Sequence, residues 1–94
     1  MFEIEHADNG DVLCRGRLDA AQCEKAQGFM DGLEGANTLD FAGLEYISSA
    51  GLGVLVATYR RLSETGENLT LRHLNQSVRN IFRFSGLDRL FKIE

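Results

Sequence analysis

A short stretch in the middle of the chain joins a strand-like run directly to a helix-like run. Residues 44–47 are mostly apolar, Ser48 and Ser49 follow, and Gly51 and Gly53 punctuate the start of a helical pattern. The first turn of a helix has N–H groups without partners in the helix, so a serine can cap them and a phosphate can bind them. The stretch predicts a strand-to-helix corner with hydroxyl groups, which favours a switch or an anion site over a packing feature.

The first third of the chain has the pattern of a hairpin followed by a helix. Phe2–His6 and Val12–Leu18 alternate in part between apolar and polar residues, and a turn-rich link at 8–11 separates them. That pattern predicts two paired strands. Asp19 can cap a helix that follows, because apolar residues then recur at helical spacing up to a glycine-rich stop. We expect this helix to bury one face, which contains Cys23, Ala26, Met30 and Leu33.

A third strand and a second helix surround the corner itself. We expect the strand over 38–47, with a break near Gly43, and the helix from the serines to Thr65. The helix is amphipathic, since its apolar residues follow a period of 3.6. We expect an inward face of Leu52, Leu55, Val56, Tyr59 and Leu62, and an outward face of Thr58, Arg60, Arg61 and Glu64.

The last third of the chain repeats the alternation of strand and helix. Residues 69–74 predict a fourth strand, Asn75 or Ser77 can start a third helix, and Gly86 can end it. An apolar piece over 87–93 finishes the chain. Strands that alternate with helices predict an α/β fold, and the opening hairpin makes the sheet mixed.

Length and charge exclude several classes of protein. The 94 residues, 44% of them hydrophobic, are enough for one domain spanning 1–94 with a single modest core. The net charge of −4 and the scattered basic residues predict no binding to nucleic acid. The chain shows neither a signal sequence nor an apolar run of the roughly 18 residues that a membrane span requires. We therefore expect a soluble, cytoplasmic protein that does not insert into a membrane.

The cysteines and histidines predict no metal site and no disulfide. Cys14 and Cys23 are too few for a disulfide framework and should stay reduced, as small buried or half-buried groups. His6 and His73 are isolated in sequence from each other and from the cysteines, so zinc-like spacing is absent. Each histidine is expected at the surface or on a strand.

The two glycines of the second helix need an explanation, because each lowers helix stability by up to about 1 kcal/mol relative to alanine. Tight packing of Gly51 and Gly53 on the sheet, close approach of a partner's backbone, or an amide cradle for an anion could compensate. A nucleotide fingerprint would need a glycine where Val56 stands. A nucleophile elbow at Ser49 would need one where Ile47 stands. We expect no cofactor, no catalytic residue and no enzymatic activity.

Four segments together carry a family resemblance. They are Gly-Arg-Leu-Asp at 16–19, Leu-Asp-Phe at 39–41, Tyr-Ile-Ser-Ser-Ala-Gly-Leu-Gly-Val-Leu at 46–55 and Ser-Gly-Leu-Asp-Arg-Leu-Phe at 85–91. The chain resembles, over essentially its whole length, the STAS domain of bacterial anti-sigma factor antagonists. The resemblance implies a four- to five-stranded, mostly parallel sheet with helices packed mainly on one face.

The resemblance also implies a role without catalysis by the domain. In such antagonists the unphosphorylated domain binds a serine-kinase anti-sigma factor and frees the sigma factor. Phosphorylation at the start of the second helix ends that binding, and a PP2C-type phosphatase typically reverses it. A phosphate adds about −1.5 to −2 charges and can repel a partner in a desolvated interface without unfolding the domain.

One position departs from the family pattern. Antagonists with the Asp-Ser-Ser/Thr-Gly form carry the acceptor hydroxyl directly before the glycine, where this chain has Ala50. Either the acceptor is shifted to Ser49, with Ser48 as the next choice, or the domain is not phosphorylated. The second alternative fits an accessory subunit of a membrane transport complex of the ABC type. The expected docking surface contains Asp19, Ser48, Ser49, Ala50, Gly51, Leu52 and Gly53, and the sequence leaves the oligomeric state open.

Overall fold

One five-stranded mixed sheet organises the computed structural model, which describes residues 1–94. The strands lie in chain order, with β1 antiparallel to β2 and the remaining neighbours parallel. The predicted hairpin is confirmed residue for residue. The strands are β1 (Phe2–His6), β2 (Val12–Leu18), β3 (Asn37–Ile47), β4 (Leu69–Arg72) and β5 (Lys92–Ile93).

Three helices connect the parallel strands, as the predicted alternation requires. Crossovers between parallel strands are right-handed, so successive helices pack on the same face of the sheet. Along β2 the side chains of Val12, Cys14 and Leu18 are buried on that covered face. None of the helices has the length and apolarity that a membrane crossing requires. The helices are α1 (Cys23–Met30), α2 (Ser49–Ser63) and α3 (Gln76–Ser85), with short 3-10 turns at Ala20–Gln22 and Leu87–Arg89.

The core lies between the helices and the covered face of the sheet. Its aromatic centre links β3 and α3 to the end of the chain: the rings of Phe41 and Phe82 are 6.4 Å apart, and Phe82 meets Phe91 edge-on at 5.8 Å. Tyr59 of α2 adds a second edge-on contact to Phe91 at 5.5 Å. Such pairs add about 0.5–1.5 kcal/mol each beyond the area that they bury. Phe91 therefore joins α2 to α3 within the core.

The predicted break in the third strand is wrong, because β3 is continuous through Gly43. A Cβ at Gly43 would lie 2.7 Å from Cγ of Arg15 on the neighbouring strand. The glycine therefore makes room for the arginine side chain instead of ending the strand. The pairing of β2 with β3 is irregular. Its register shifts twice, once between Leu13 and Arg15 and once between Gly16 and Arg17.

The predicted outward face of α2 is wrong at two positions. Thr58 is buried, and its hydroxyl donates to the carbonyl of Val54 at 2.9 Å, so the polar group is satisfied inside the helix. Arg61 is half-buried, because its guanidinium donates to the carbonyls of Met30 and Leu33 at 2.7 and 3.0 Å. Arg61 thereby ties α2 to the chain that leaves α1.

Two element boundaries in the structure also differ from the predicted ones. Asp19 makes no side-chain cap, and a 3-10 turn separates it from α1. The fourth strand ends at Arg72 and not at Leu74, because His73 has a φ of 62°, a left-handed conformation that extended strands do not contain. The third helix starts after Asn75, whose side chain accepts from the N–H of Val78, and it ends at Gly86 as predicted.

Candidate functional site

The corner between β3 and α2 is built around Ser48. This residue keeps an extended backbone, and its Oγ accepts a hydrogen bond from the N–H of Gly51 at 3.1 Å. Its own N–H donates to the carbonyl of Leu18 at 2.9 Å, and its carbonyl accepts from the N–H of Leu52 at 2.9 Å. Ser48 is half-buried, so it acts as the helix N-cap and fastens the start of α2 to the end of β2.

Ser49 occupies the first position of α2 and is exposed. Its hydroxyl makes no hydrogen bond within the chain, in contrast to that of Ser48. The first turn of α2 contains no acidic residue, so no side chain of the helix itself offsets the partial positive charge of its N-terminus. A negatively charged group on Ser49 would lie in a favourable field.

The different positions of the two serines predict different stability effects. Ser48→Ala should lower the free energy of unfolding by about 1 kcal/mol, because the N–H of Gly51 loses its acceptor. Ser49→Ala should change it by less than about 0.5 kcal/mol, because the exposed hydroxyl has no partner. Urea unfolding of both variants measures the difference. Equal effects of the two substitutions would contradict the assignment of the cap.

Gly51 and Gly53, which look alike in sequence, have opposite surroundings. A Cβ at Gly51 would lie 2.8 Å from the carbonyl oxygen of Leu18 and 2.9 Å from side-chain atoms of Leu18 and Ile47. A Cβ at Gly53 would meet nothing within 4 Å. Packing on the sheet therefore explains Gly51, whereas no contact within the chain explains Gly53.

The predicted docking surface divides into exposed and supporting residues. Ser49, Ala50 and Gly53 are exposed, while Gly51 is buried and Leu52 keeps only 9% of its surface accessible. The buried pair holds the helix against the sheet beneath the exposed residues. Ala57, which was not among the predicted docking residues, is also exposed. Its spacing of four residues from Gly53 and eight from Ser49 places it on the same side of a helix and could have identified it.

Asp19 follows the last residue of β2, whose carbonyl holds Ser48. It is half-buried, and its Oδ1 is inaccessible to solvent and lacks a hydrogen-bond partner in the chain. A buried carboxylate oxygen without a donor is unfavourable. On the neighbouring open side of the sheet, Arg17 lies 4.5 Å above the ring of Tyr46, a contact across β2 and β3 that the sequence did not indicate.

Cys14 is buried and Cys23 half-buried, as predicted, and both thiols are free in the structure. Burial, together with the nearby Asp40, raises the pKa of the Cys14 thiol to about 12, so this thiol stays protonated at neutral pH. No three histidine, cysteine or acidic side chains lie close enough together to hold a metal ion. The groups available at the corner are therefore hydroxyls, helix N–H groups and the Asp19 carboxylate.

Comparisons with known proteins agree with this geometry. The family model described as "Mlab, STAS domain" matches residues 3–93. BtrV of Bordetella bronchiseptica, which has a provisional name as an anti-sigma factor antagonist, is 31% identical over 95 residues that cover 96% of this chain and 82% of BtrV. The anti-sigma-B factor antagonist of Staphylococcus epidermidis is 26% identical over 94 residues that cover 96% of this chain and 87% of the antagonist.

Solved structures show the same fold. The anti-sigma factor antagonist SpoIIAA in its unphosphorylated form has a TM-score of 0.77 at 24% identity, covering 100% of this chain and 88% of SpoIIAA. The phosphorylated form of SpoIIAA from Bacillus has a TM-score of 0.69 at 23% identity, covering 100% of this chain and 91% of that one. The mixed sheet with helices on one main face is therefore confirmed.

Proposed function

Because this chain belongs to the STAS domain family, we propose that it binds a serine-kinase anti-sigma factor through the start of α2, and that phosphorylation of Ser49 ends the binding. Its similarity to antagonists of anti-sigma factors supports the general role. The observation that carries the proposal is the exposed, unbonded hydroxyl of Ser49 beside the engaged hydroxyl of Ser48. A kinase can reach the first without dismantling the helix cap.

The surroundings of Ser49 suit a switch that acts on charge. Ala50 and Gly53 are exposed beside it, and such small side chains leave room for close approach of a partner. A phosphate on Ser49 is tolerated by the free domain, because it lies at the positive end of α2. In a desolvated interface the same phosphate brings about −1.5 to −2 charges against the partner, which destabilises the complex and not the fold.

A PP2C-type phosphatase removes the phosphate and restores binding. The domain supplies the acceptor hydroxyl and the contact surface and performs no catalysis itself, in keeping with the regulatory role of its family. The proposal places the chain in the cytoplasm, where the kinase has access to ATP.

Incubation with the anti-sigma kinase and ATP tests the proposal. We expect the wild-type chain to gain one phosphoryl group, located on Ser49 by peptide mass spectrometry. Ser49→Ala should abolish the modification and Ser48→Ala should not, because only Ser49 has a free, exposed hydroxyl. Ser48→Ala also controls for the loss of a neighbouring serine. An unmodified wild-type chain that does not associate with the kinase would refute the proposal.

Ala50 supports a second candidate function. It is exposed at the position before Gly51 and offers no hydroxyl. A domain that is never phosphorylated could use the same face of α2 as a permanent contact, as an accessory subunit of a membrane transport complex of the ABC type. Stable co-purification with a transporter ATPase, unchanged by Ser49→Asp, would favour this function over the switch.

A further inference from the structure

Most cationic side chains of this protein are engaged within the chain. Of the ten lysines and arginines, six contact an acidic group, a backbone carbonyl or an aromatic ring: Arg15, Arg17, Lys25, Arg61, Arg72 and Lys92. Four have no such contact and are exposed, namely Arg60, Arg79, Arg83 and Arg89. Three of these four lie on α3 or on the turn that follows it. Three of the four unengaged arginines thus lie within residues 79–89, and the fourth, Arg60, lies on α2.

The same helix exposes a large aromatic side chain. Phe84 is 82% exposed, and the only other large hydrophobic residue exposed to this degree is Met1 at the chain terminus. Helix α3 buries Val78 and Phe82 and turns the opposite side to solvent. We name this outward side the α3 face; it contains Gln76, Ser77, Arg79, Asn80, Arg83 and Phe84. It contains no acidic residue.

The α3 face adjoins the strand that leads into the corner. Asn75, the N-cap of α3, donates through its Nδ2 to the carbonyl of Leu44 at 2.9 Å. Leu44 lies on β3, four residues before Ser48. Helix α3 thus begins beside the half of β3 that carries the chain to Ser49.

The composition of the α3 face favours a protein as its occupant. Aromatic and arginine side chains are enriched in interfaces and among residues that dominate binding energy. The two arginines of the α3 face, or three with Arg89 of the following turn, are fewer than the roughly four to eight that mark binding to anionic lipid, and a net charge of −4 disfavours nucleic acid. A symmetric dimer through this face would leave its arginines without acidic partners, because the face contains none.

We infer that the α3 face is a second contact for the same anti-sigma factor. The partner receives Phe84 in an apolar pocket, and carboxylates at the rim of that pocket pair with Arg79 and Arg83. This inference rests on the proposed function, because it names the same partner and adds a surface that phosphorylation of Ser49 does not touch. Charge complementarity of this kind sets specificity and the rate of association.

Calorimetric titration of the full chain with the purified anti-sigma factor tests the inference. Phe84→Ala should raise the Kd about tenfold or more, as expected of a buried aromatic anchor. Arg79→Glu with Arg83→Glu should raise it by a similar factor and flatten its dependence on salt. Lys92→Glu makes the same type of charge change on β5, outside the α3 face, and should stay within about twofold of wild type. Because Phe84 is exposed, its truncation should leave thermal unfolding unchanged.

Each alternative outcome has a distinct meaning. Wild-type affinity in both α3 variants, together with loss of binding in Ser49→Asp, would overturn this inference and leave the proposed function standing. Failure of the wild-type chain itself to bind the anti-sigma factor would overturn both. Vesicles containing phosphatidylglycerol serve as a third probe. Binding to them that needs Phe84, with anti-sigma binding indifferent to Phe84→Ala, would assign the face to a membrane and overturn the inference.

Discussion

Replacing Gly51 with alanine is expected to lower the free energy of unfolding by about 2 kcal/mol. The new Cβ would lie 2.8 Å from the carbonyl oxygen of Leu18 and 2.9 Å from a carbon of Ile47. The Leu18 carbonyl is already held by the N–H of Ser48, so the start of α2 must move away from β2. Overpacking of this kind typically costs about 1–3 kcal/mol and outweighs the better helix propensity of alanine.

Gly53→Ala is the matched control, two residues along the same helix. A Cβ at Gly53 meets no atom within 4 Å, so alanine should raise the free energy of unfolding by about 0.5–1 kcal/mol through helix propensity alone. Urea unfolding curves of the two variants provide the measurement. Stabilisation by both substitutions would show that α2 does not approach β2 as closely as the structure indicates.

Ser49→Asp is expected to weaken binding to the anti-sigma factor by about 100-fold. The aspartate puts a charge on an exposed position that a partner would bury, and an unpaired buried charge costs several kcal/mol. The fold should be unaffected, because an acidic residue in the first turn of a helix is favourable by about 0.3–1 kcal/mol. Calorimetric titration measures the affinity, and thermal unfolding measures the fold.

Ser49→Ala is the matched variant for this measurement. It removes the hydroxyl without adding charge, so the chain should bind the anti-sigma factor as the wild type does and should no longer respond to the kinase. Equal affinity of the aspartate and alanine variants would mean that a negative charge at position 49 does not affect binding of the anti-sigma factor. The permanent contact of a transport subunit would then be the better interpretation.

The sequence specified much of the fold through local patterns. Alternation over Phe2–His6 and Val12–Leu18 predicted the hairpin, and helical spacing predicted α2 and α3. Asn75 and Gly86 were recognised as possible ends of α3 because caps depend on one side chain and its nearest backbone groups. Interactions between residues that are this close along the chain can be recognised from the sequence. The break predicted at Gly43 failed because the reason for that glycine lies on another strand, at Arg15.

The sequence located the candidate site but did not distinguish the roles of its two serines or of its two glycines. The motif placed two serines and two glycines at one corner, and each pair consists of identical residues. Contacts with the end of β2 distinguish them: Ser48 and Gly51 meet Leu18, which lies some thirty residues earlier in the chain, and Ser49 and Gly53 face solvent. The burial of Thr58 and the exposure of Arg79, Arg83 and Phe84 have the same origin. By itself the sequence determined the order of the elements and the position of the corner, because short-range periodicity and capping control both. Only the tertiary structure decided which side chains the corner and α3 expose, because burial depends on residues that are close in space and distant along the chain.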